Sequence, residues 1–241
     1  MLARKIQQSM MPSSSLWDKI EFLYYPVDKV GGDFLDFVRF REQELVGIFL
    51  CDVSGHGLSA GFVTTFIKHL ILESGKYKLN PKDLLCYLNY SLFEKTAGHF
   101  ITAFYGVYNL NTKKFIYSNA GHNPPYLIKE NSVSKLEFDS LSLPLAIFNN
   151  EEHFKKNVSY KNYEITIEKD TRLFLYTDGL IGISKISDDT IRTDENFIIN
   201  MLKKFNNEKD NKVFLHRLFS EIENFRQDKY FEDDITMIIL S

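Results

Sequence analysis

Short apolar and aromatic runs, each closed by turn residues, limit the folds open to this chain. IEFLYYPV (20–27), DFLDFVRF (33–40) and LVGIFLCDV (45–53) read as strands. ITAFYGVYNL followed by NTKKFIYSNA reads as a hairpin around Asn111-Thr112, with strands near 101–109 and 113–119 and another at 124–129. Weaker strands are expected over 134–139 and 158–167. RLFLYTD (172–178) reads as a strong buried strand, and ITMIIL (235–240) closes the chain. A helix is expected to open after Gly57, where Phe62/Val63, Phe66/Ile67 and Leu70/Ile71 recur every four residues. Pro81 suits the first turn of a helix over 81–95, with Leu84, Leu85, Leu88 and Leu92 on one face. Two further helices are expected at 194–206 and 211–226, and polar surface loops at 185–195 and 206–212. The order lacks the regular βαβ alternation of a doubly wound sheet. It predicts an α+β fold of two sheets with helices outside.

Composition narrows the function classes. The chain has 241 residues, 44% hydrophobic and 25% charged, which is globular and large enough for one sizeable domain or two small ones. Its 29 Lys and Arg against 32 Asp and Glu leave a net charge of −3, with no electrostatic footprint for nucleic acid. No apolar run of about 18 residues is present to span a membrane. The N-terminus lacks the apolar stretch of a signal peptide. Cys51 and Cys86 form neither a disulfide framework nor a CxxC site. A cytoplasmic, reducing setting is the default expectation. Residues 1–11 read as the end of a helix, with Leu2, Ile6 and Met10 in one narrow stripe, stopped by Pro12 and three serines. Such a short helix is marginal alone. It either docks on a partner or extends an upstream helix, or it packs on its own domain.

Four places set aspartate against glycine or another acid beside an apolar strand. They are Gly31-Gly32-Asp33, Asp52 through Gly57, Asp178-Gly179 and Asp233-Asp234. Asp52 follows LVGIFLC and Asp178 follows RLFLYT, so both emerge at the ends of buried strands. Carboxylates at the rim of an apolar core are costly unless a cation pairs with them, and gathered aspartates raise one another's pKa. A divalent ion relieves that repulsion. Hard oxygen donors without clustered Cys or His favour Mg²⁺ or Mn²⁺ over Zn²⁺. Two such ions can activate a water and clamp a phosphoryl oxygen.

The stretches ARKIQQSMMP, YYPVDKVGGDFLDF, CDVSGHGLSAGFVTTFIKHL, ITAFYGVYNL, YSNAGHNPPYLI, LFLYTDGLIGIS and DDITMIIL carry a resemblance. Together they resemble the SpoIIE/RsbU-type bacterial branch of the metal-dependent PPM protein serine/threonine phosphatases, relatives of protein phosphatase type 2C. They run in family order from residue 3 to residue 240. The resemblance implies a four-layer αββα sandwich of two mainly antiparallel sheets flanked by helices. It divides the chain into a linker or regulatory helix over 1–15 and a phosphatase domain over 16–241. It implies two Mn²⁺ or Mg²⁺ ions. Asp33 resembles the ligand of the Gly-Gly-Asp motif, and Asp52 the aspartate bridging both metals. Val53 would offer its backbone carbonyl. Asp178 resembles the Thr-Asp-Gly ligand, and Asp233, preferred over Asp234, the last one. The implied reaction is hydrolysis of phosphoserine or phosphothreonine by a metal-activated water, without a covalent enzyme intermediate. The implied substrate is a STAS-type anti-sigma-factor antagonist, with an upstream sensor domain and a homodimer through the N-terminal helix as further partners, and neither nucleic acid nor membrane contact. Two departures from the family pattern stand out. Ser142-Leu143-Pro144-Leu145-Ala146 replaces a usual Gly-Leu-Pro-Leu-Gly, and Gly182 replaces a usual acid.

Other residues have plainer readings. His56, between two glycines, either is an exposed turn residue or lines the phosphate site. His122 is expected to order its loop through hydrogen bonds rather than act as a general acid. Ser54 reads as a turn or capping residue, without a GxSxG elbow around it. Cys51 reads as a core thiol and Cys86 as a helix-face residue. Two rival functions remain: a non-catalytic regulatory module of the same fold, and another binuclear metallohydrolase such as a phosphodiesterase.

Overall fold

The computed structural model describes residues 2–13, 17–41, 44–130, 132–138, 142–156, 158–181, 195–225 and 231–241. Within them the chain divides into two units, each assembled from separate stretches of sequence and each built on one five-stranded antiparallel sheet.

The first unit holds Met1–Ser13, Asp28–His122 and Phe138–Ile167. Its sheet runs β2 (Asp33–Arg39), β3 (Leu45–Val53), β4 (Ile101–Asn109), β5 (Lys114–Ala120) and β8 (Tyr163–Thr166). β3 is the spine, because Val46 through Cys51, Gly47 included, are buried without a break. The hairpin joining β4 to β5 turns where expected. Asn109 Oδ1 accepts from the Asn111 and Thr112 amides, an Asx turn, and Lys113 takes φ 61°. Helix α2 (Leu58–Glu73) buries Val63, Ile67, Leu70 and Ile71, and α3 (Pro81–Leu92) buries the four predicted leucines. Asn80 caps α3 by accepting from the Asp83 amide at 3.2 Å. A buried ion pair, Lys68 Nζ to Asp36 at 2.8 Å, pins α2 to β2. Burial pushes the Asp36 carboxyl above its usual range, and Lys68 offsets part of that. The short helix α4 (Asn150–Lys155) was not expected. It begins with a capping box between Asn149 and Glu152.

The second unit holds Ser14–Val27, Asn123–Glu137 and Glu168–Ser241. Its sheet runs β1 (Ile20–Tyr25), β10 (Ile235–Leu240), β9 (Arg172–Tyr176), β6 (Tyr126–Lys129) and β7 (Ser132–Lys135). Helices α5 (Glu195–Lys204) and α6 (Asn211–Phe225) supply Ile198, Leu202, Phe214 and Leu218 to a core shared with Tyr126, Phe174 and Met237. Arg172 is buried there. Its guanidinium donates to the carbonyls of Asn206 and Glu208 and lies over the Phe214 ring at 4.4 Å.

The α+β class and the two antiparallel sheets agree with the sequence reading. No helix among the described residues is long and apolar enough to cross a membrane. Most of the loop expected at 185–195 lies outside the described residues, and Glu195 already belongs to α5.

Candidate metal centre

In the first unit, alternation along β2 sends Phe34, Asp36 and Val38 to one face of the sheet and Asp33, Leu35 and Phe37 to the other. α2 covers the Asp36 face through Lys68, so Asp33 points to the opposite side. Antiparallel register then sets Asp33 against Asp52, and Asp52 against Thr102. The three side chains form one row across β2, β3 and β4. Directly opposed carboxylates repel, at a cost of a few tenths to about 1 kcal/mol in a sheet. Asp33 is buried and Asp52 half-buried, which sharpens that cost.

Gly32 brings backbone oxygens to the same place. A Cβ on it would lie 2.7 Å from the Val53 carbonyl oxygen, 3.0 Å from that of Gly55 and 3.5 Å from Asp52 Oδ1. Only a residue without a side chain leaves these three oxygens room around one point. Val53 is itself buried, and its amide donates to the Gly32 carbonyl at 3.2 Å. Gly55 and Gly57, at φ 84° and 80°, turn the chain away from β3 toward α2. Burial, reinforced by the Asp52 and Asp33 carboxylates, pushes the Cys51 thiol well above its ordinary range. Cys51 is thus an inert core thiol.

The second unit repeats the device. Asp178 follows β9, and Asp233 and Asp234 precede β10, its antiparallel neighbour. The two ends are clipped together: Thr177 N donates to Thr236 O at 3.1 Å, and Thr236 N donates to Thr177 Oγ1 at 2.9 Å. Gly179 lies so close to the next strand that a Cβ would stand 2.0 Å from the Asp234 carbonyl oxygen. Burial raises the Asp178 carboxyl above its ordinary range, and backbone hydrogen bonds from Asp178 and Gly179 offset part of the shift. The two neighbouring acids differ. Asp234 is buried, and its Oδ1 accepts from Val27 N at 2.7 Å, which ties β1 to β10. Asp233 is exposed, with Oδ1 accepting from Asp234 N at 2.8 Å.

The remaining candidates take quieter places. His56 is exposed, its Nδ1 3.2 Å from Asp28 Oδ2. Ser54 caps no helix, since Gly57 is the N-cap of α2. Its Oγ accepts from Phe100 N at 3.0 Å, and its carbonyl meets His99 Nδ1. His122 is buried, with Asn119 bonded to both its amide and its carbonyl and with Nδ1 2.8 Å from Thr102 Oγ1. It orders its loop, and through Thr102 it also borders the row containing Asp52. Thr102 was missed by sequence reading, because a threonine in a strand carries no motif signal. Ser142 Oγ accepts from Gly121 N at 3.3 Å, and Ala146 takes φ 68°. The two substituted positions therefore do shape the loop, while Gly182 lies outside the described residues.

Among the described residues no three His, Cys, Asp or Glu side chains gather into a cluster able to hold an ion. The oxygens that do meet, around Gly32, mix one carboxylate with main-chain carbonyls. That all-oxygen donor set fits a hard divalent cation.

Comparison with known proteins agrees with these motifs. The sequence profile of the family described as Stage II sporulation protein E (SpoIIE) matches residues 42–241. "Phosphoserine phosphatase RsbU" of Bacillus subtilis (strain 168) is 28% identical over 186 residues, which cover 74% of this chain and 52% of that protein. The chain thus spans about half the length of that curated relative. Among solved structures, the SiaA-PP2C domain of Pseudomonas aeruginosa superposes with a TM-score of 0.82 at 17% identity, over 99% of this chain and 94% of that one. RsbX, solved in complex with magnesium, has a TM-score of 0.64 at 18% identity, over 96% and 100%. These likenesses establish a PP2C-like fold, and with residues 42–241 matching its profile the chain belongs to the SpoIIE family.

Proposed function

We propose that this protein is a metal-dependent protein serine/threonine phosphatase. The observation that carries the reading is the placement of Asp33 opposite Asp52, with the Val53 carbonyl beside the gap left by Gly32. By their match to the family's motifs, Asp33, Asp52, the Val53 carbonyl, Asp178 and Asp233 are the residues that would hold two Mn²⁺ or Mg²⁺ ions. Asp233 is preferred because Asp234 already serves β1 through Val27. Bound there, the ions supply a water nucleophile and neutralise phosphoryl charge for in-line attack. The chain's own part is to hold the carboxylates in place. β-ladder register does so for Asp33 and Asp52, and the Thr177–Thr236 clip does so for Asp178 and Asp233.

The substrate we infer is a phosphoserine or phosphothreonine protein, a STAS-domain anti-anti-sigma factor in a partner-switching circuit. Family membership and the phosphoserine phosphatase name of RsbU support this. We also infer that the N-terminal helix serves an upstream sensor and a homodimer. On α1 (Leu2–Met10), Leu2 and Ile6 are 72% and 48% exposed. Changing residues 2, 6 and 10 together to serine should shift sedimentation or basal turnover, and an unchanged protein in both would reject that role.

Turnover of a phosphorylated STAS protein with MnCl₂, beside phosphopeptide and phosphodiester panels, tests the function. Release of phosphate from phosphoserine protein is expected. Cleavage of diesters alone would support a different metallohydrolase, and no turnover of any substrate would support a regulatory module.

A further inference from the structure

The buried residue of α1 is Gln7, 4% exposed, and not the apolar stripe. Its side-chain amide pairs with both main-chain groups of a single residue, Gly31. Gln7 Nε2 donates to the Gly31 carbonyl at 2.8 Å, and the Gly31 amide donates to Gln7 Oε1 at 3.0 Å. This is the pattern a neighbouring strand would supply. β2 begins two residues later, at Asp33. Gln7 Nε2 also reaches Thr64 Oγ1 at 3.1 Å, and that hydroxyl donates to the Gly61 carbonyl within α2. On the following residue, the Gly32 carbonyl accepts from Val53 N. The Gly31-Gly32 segment is therefore bonded by Gln7 at one residue and by the end of β3 at the next.

Two glycines in sequence carry no side chain of their own to fix their path and lose the most backbone freedom on ordering. The position of Asp33 then depends on what bonds Gly31 and Gly32 as well as on its own pairing with Asp52 in the β2–β3 ladder. We propose that Gln7 is a positioning residue for Asp33: by pairing with the Gly31 peptide it extends β2 backward by one bonded residue, and it makes the placement of the Asp33 carboxylate depend on the docking of α1. This rests on the reading of Asp33 as a metal ligand. A primary amide donates and accepts from one planar fork without carrying or titrating a charge. Loss of it leaves the Gly31 N–H and C=O without that partner in a buried place.

The test uses the whole chain with Gln7→Met, which keeps the length of the side chain and removes its polar atoms. Mn²⁺ affinity is measured by calorimetry without substrate, turnover is followed against Mn²⁺ concentration, and melting is measured without metal. The expected result is a rise in the Mn²⁺ Kd of about tenfold or more, with kcat at saturating Mn²⁺ within about threefold of wild type. A folded variant with wild-type Mn²⁺ affinity overturns the proposal, whatever its melting temperature, because a merely structural residue would move only the latter. Asp33→Asn runs in parallel. If it binds Mn²⁺ like wild type, the metal-ligand reading falls and this proposal with it; if it loses affinity while Gln7→Met does not, only the role of Gln7 is rejected. Should Gln7→Met not fold, amide exchange at Gly31 in the wild-type chain decides. Slow exchange is expected, and exchange as fast as an open loop rejects the pairing.

Discussion

Asp33 and Asp52 stand directly opposite one another in the β2–β3 ladder, two carboxylates side by side at the edge of a buried core. Their repulsion is the cost of holding them ready for a cation. Replacing one should therefore remove function without removing the fold. Asp52→Ala, and separately Asp178→Ala, are expected to cut turnover about a hundredfold or more. Circular dichroism should stay native, and melting without metal should match or exceed wild type. Near wild-type turnover at saturating Mn²⁺ would place the ligands elsewhere.

Removal of metal is the second test. The oxygens gathered around Gly32 offer no thiolate or imidazole. Activity should vanish in EDTA and return with Mn²⁺ or Mg²⁺. Full activity in metal-free buffer would contradict the hard-cation reading.

Gly179 should not tolerate a methyl group. Its Cβ would enter the Asp234 carbonyl at 2.0 Å, so Gly179→Ala must push β9 and β10 apart at their shared end. A loss of about 1–3 kcal/mol is expected. It would read as a lower denaturant midpoint, together with weakened metal binding. An unshifted midpoint would show that the turn moves freely.

Ala146 is a residue with a side chain in the left-handed region, φ 68°, where the family pattern has glycine. That conformation costs a non-glycine residue about 1–2 kcal/mol, partly offset by the greater freedom glycine loses on folding. Ala146→Gly is expected to stabilise the protein by roughly 0.5–1 kcal/mol. Thermal denaturation would register this as a rise of a few degrees, and a drop in melting temperature would contradict it.

His153 predicts a pH dependence. It is buried between the Phe148 and Tyr160 rings, its Nε2 has no hydrogen-bond partner among the described residues, and burial lowers its pKa from 6.5, with Glu152 opposing. The unfolded chain then takes up the proton more readily than the folded one. Stability from this site is complete above about pH 6.5 and is lost as the pH falls below it. His153→Phe should flatten that slope, measured as unfolding free energy against pH from 7.5 to 5.5. Parallel slopes for the two proteins would show that other groups carry the dependence.

Much of the fold was legible because local signals agreed with it. β3 spans Leu45–Val53 as read, and α3 begins at Pro81 behind an asparagine cap. The weaker strands were read less well. β7 covers Ser132–Lys135 where 134–139 was expected, and β8 covers Tyr163–Thr166 inside the wider 158–167. Both end their sheets. An edge strand pairs on one side only and stays partly exposed, so its apolar pattern is faint. α4 is a single short helix whose signal lay in its capping box, not in any periodicity.

The candidate site divides along the same line. Sequence by itself determined the residue types: aspartates at strand ends, glycines beside them and the motif order that marks the SpoIIE family. Those are local choices, set by strand propensity and turn chemistry, and they survive without knowledge of partners. Tertiary structure alone decided which carboxylates face each other, because register is a relation between strands distant in sequence. It also decided that Asp234 is spent on Val27 while Asp233 stays exposed, a distinction invisible in two identical adjacent letters. The N-terminal helix is the sharpest case. Its periodicity marked Leu2, Ile6 and Met10, yet within this chain it buries Gln7, because the paired amide and carbonyl of Gly31 need a polar partner that no aliphatic side chain can be.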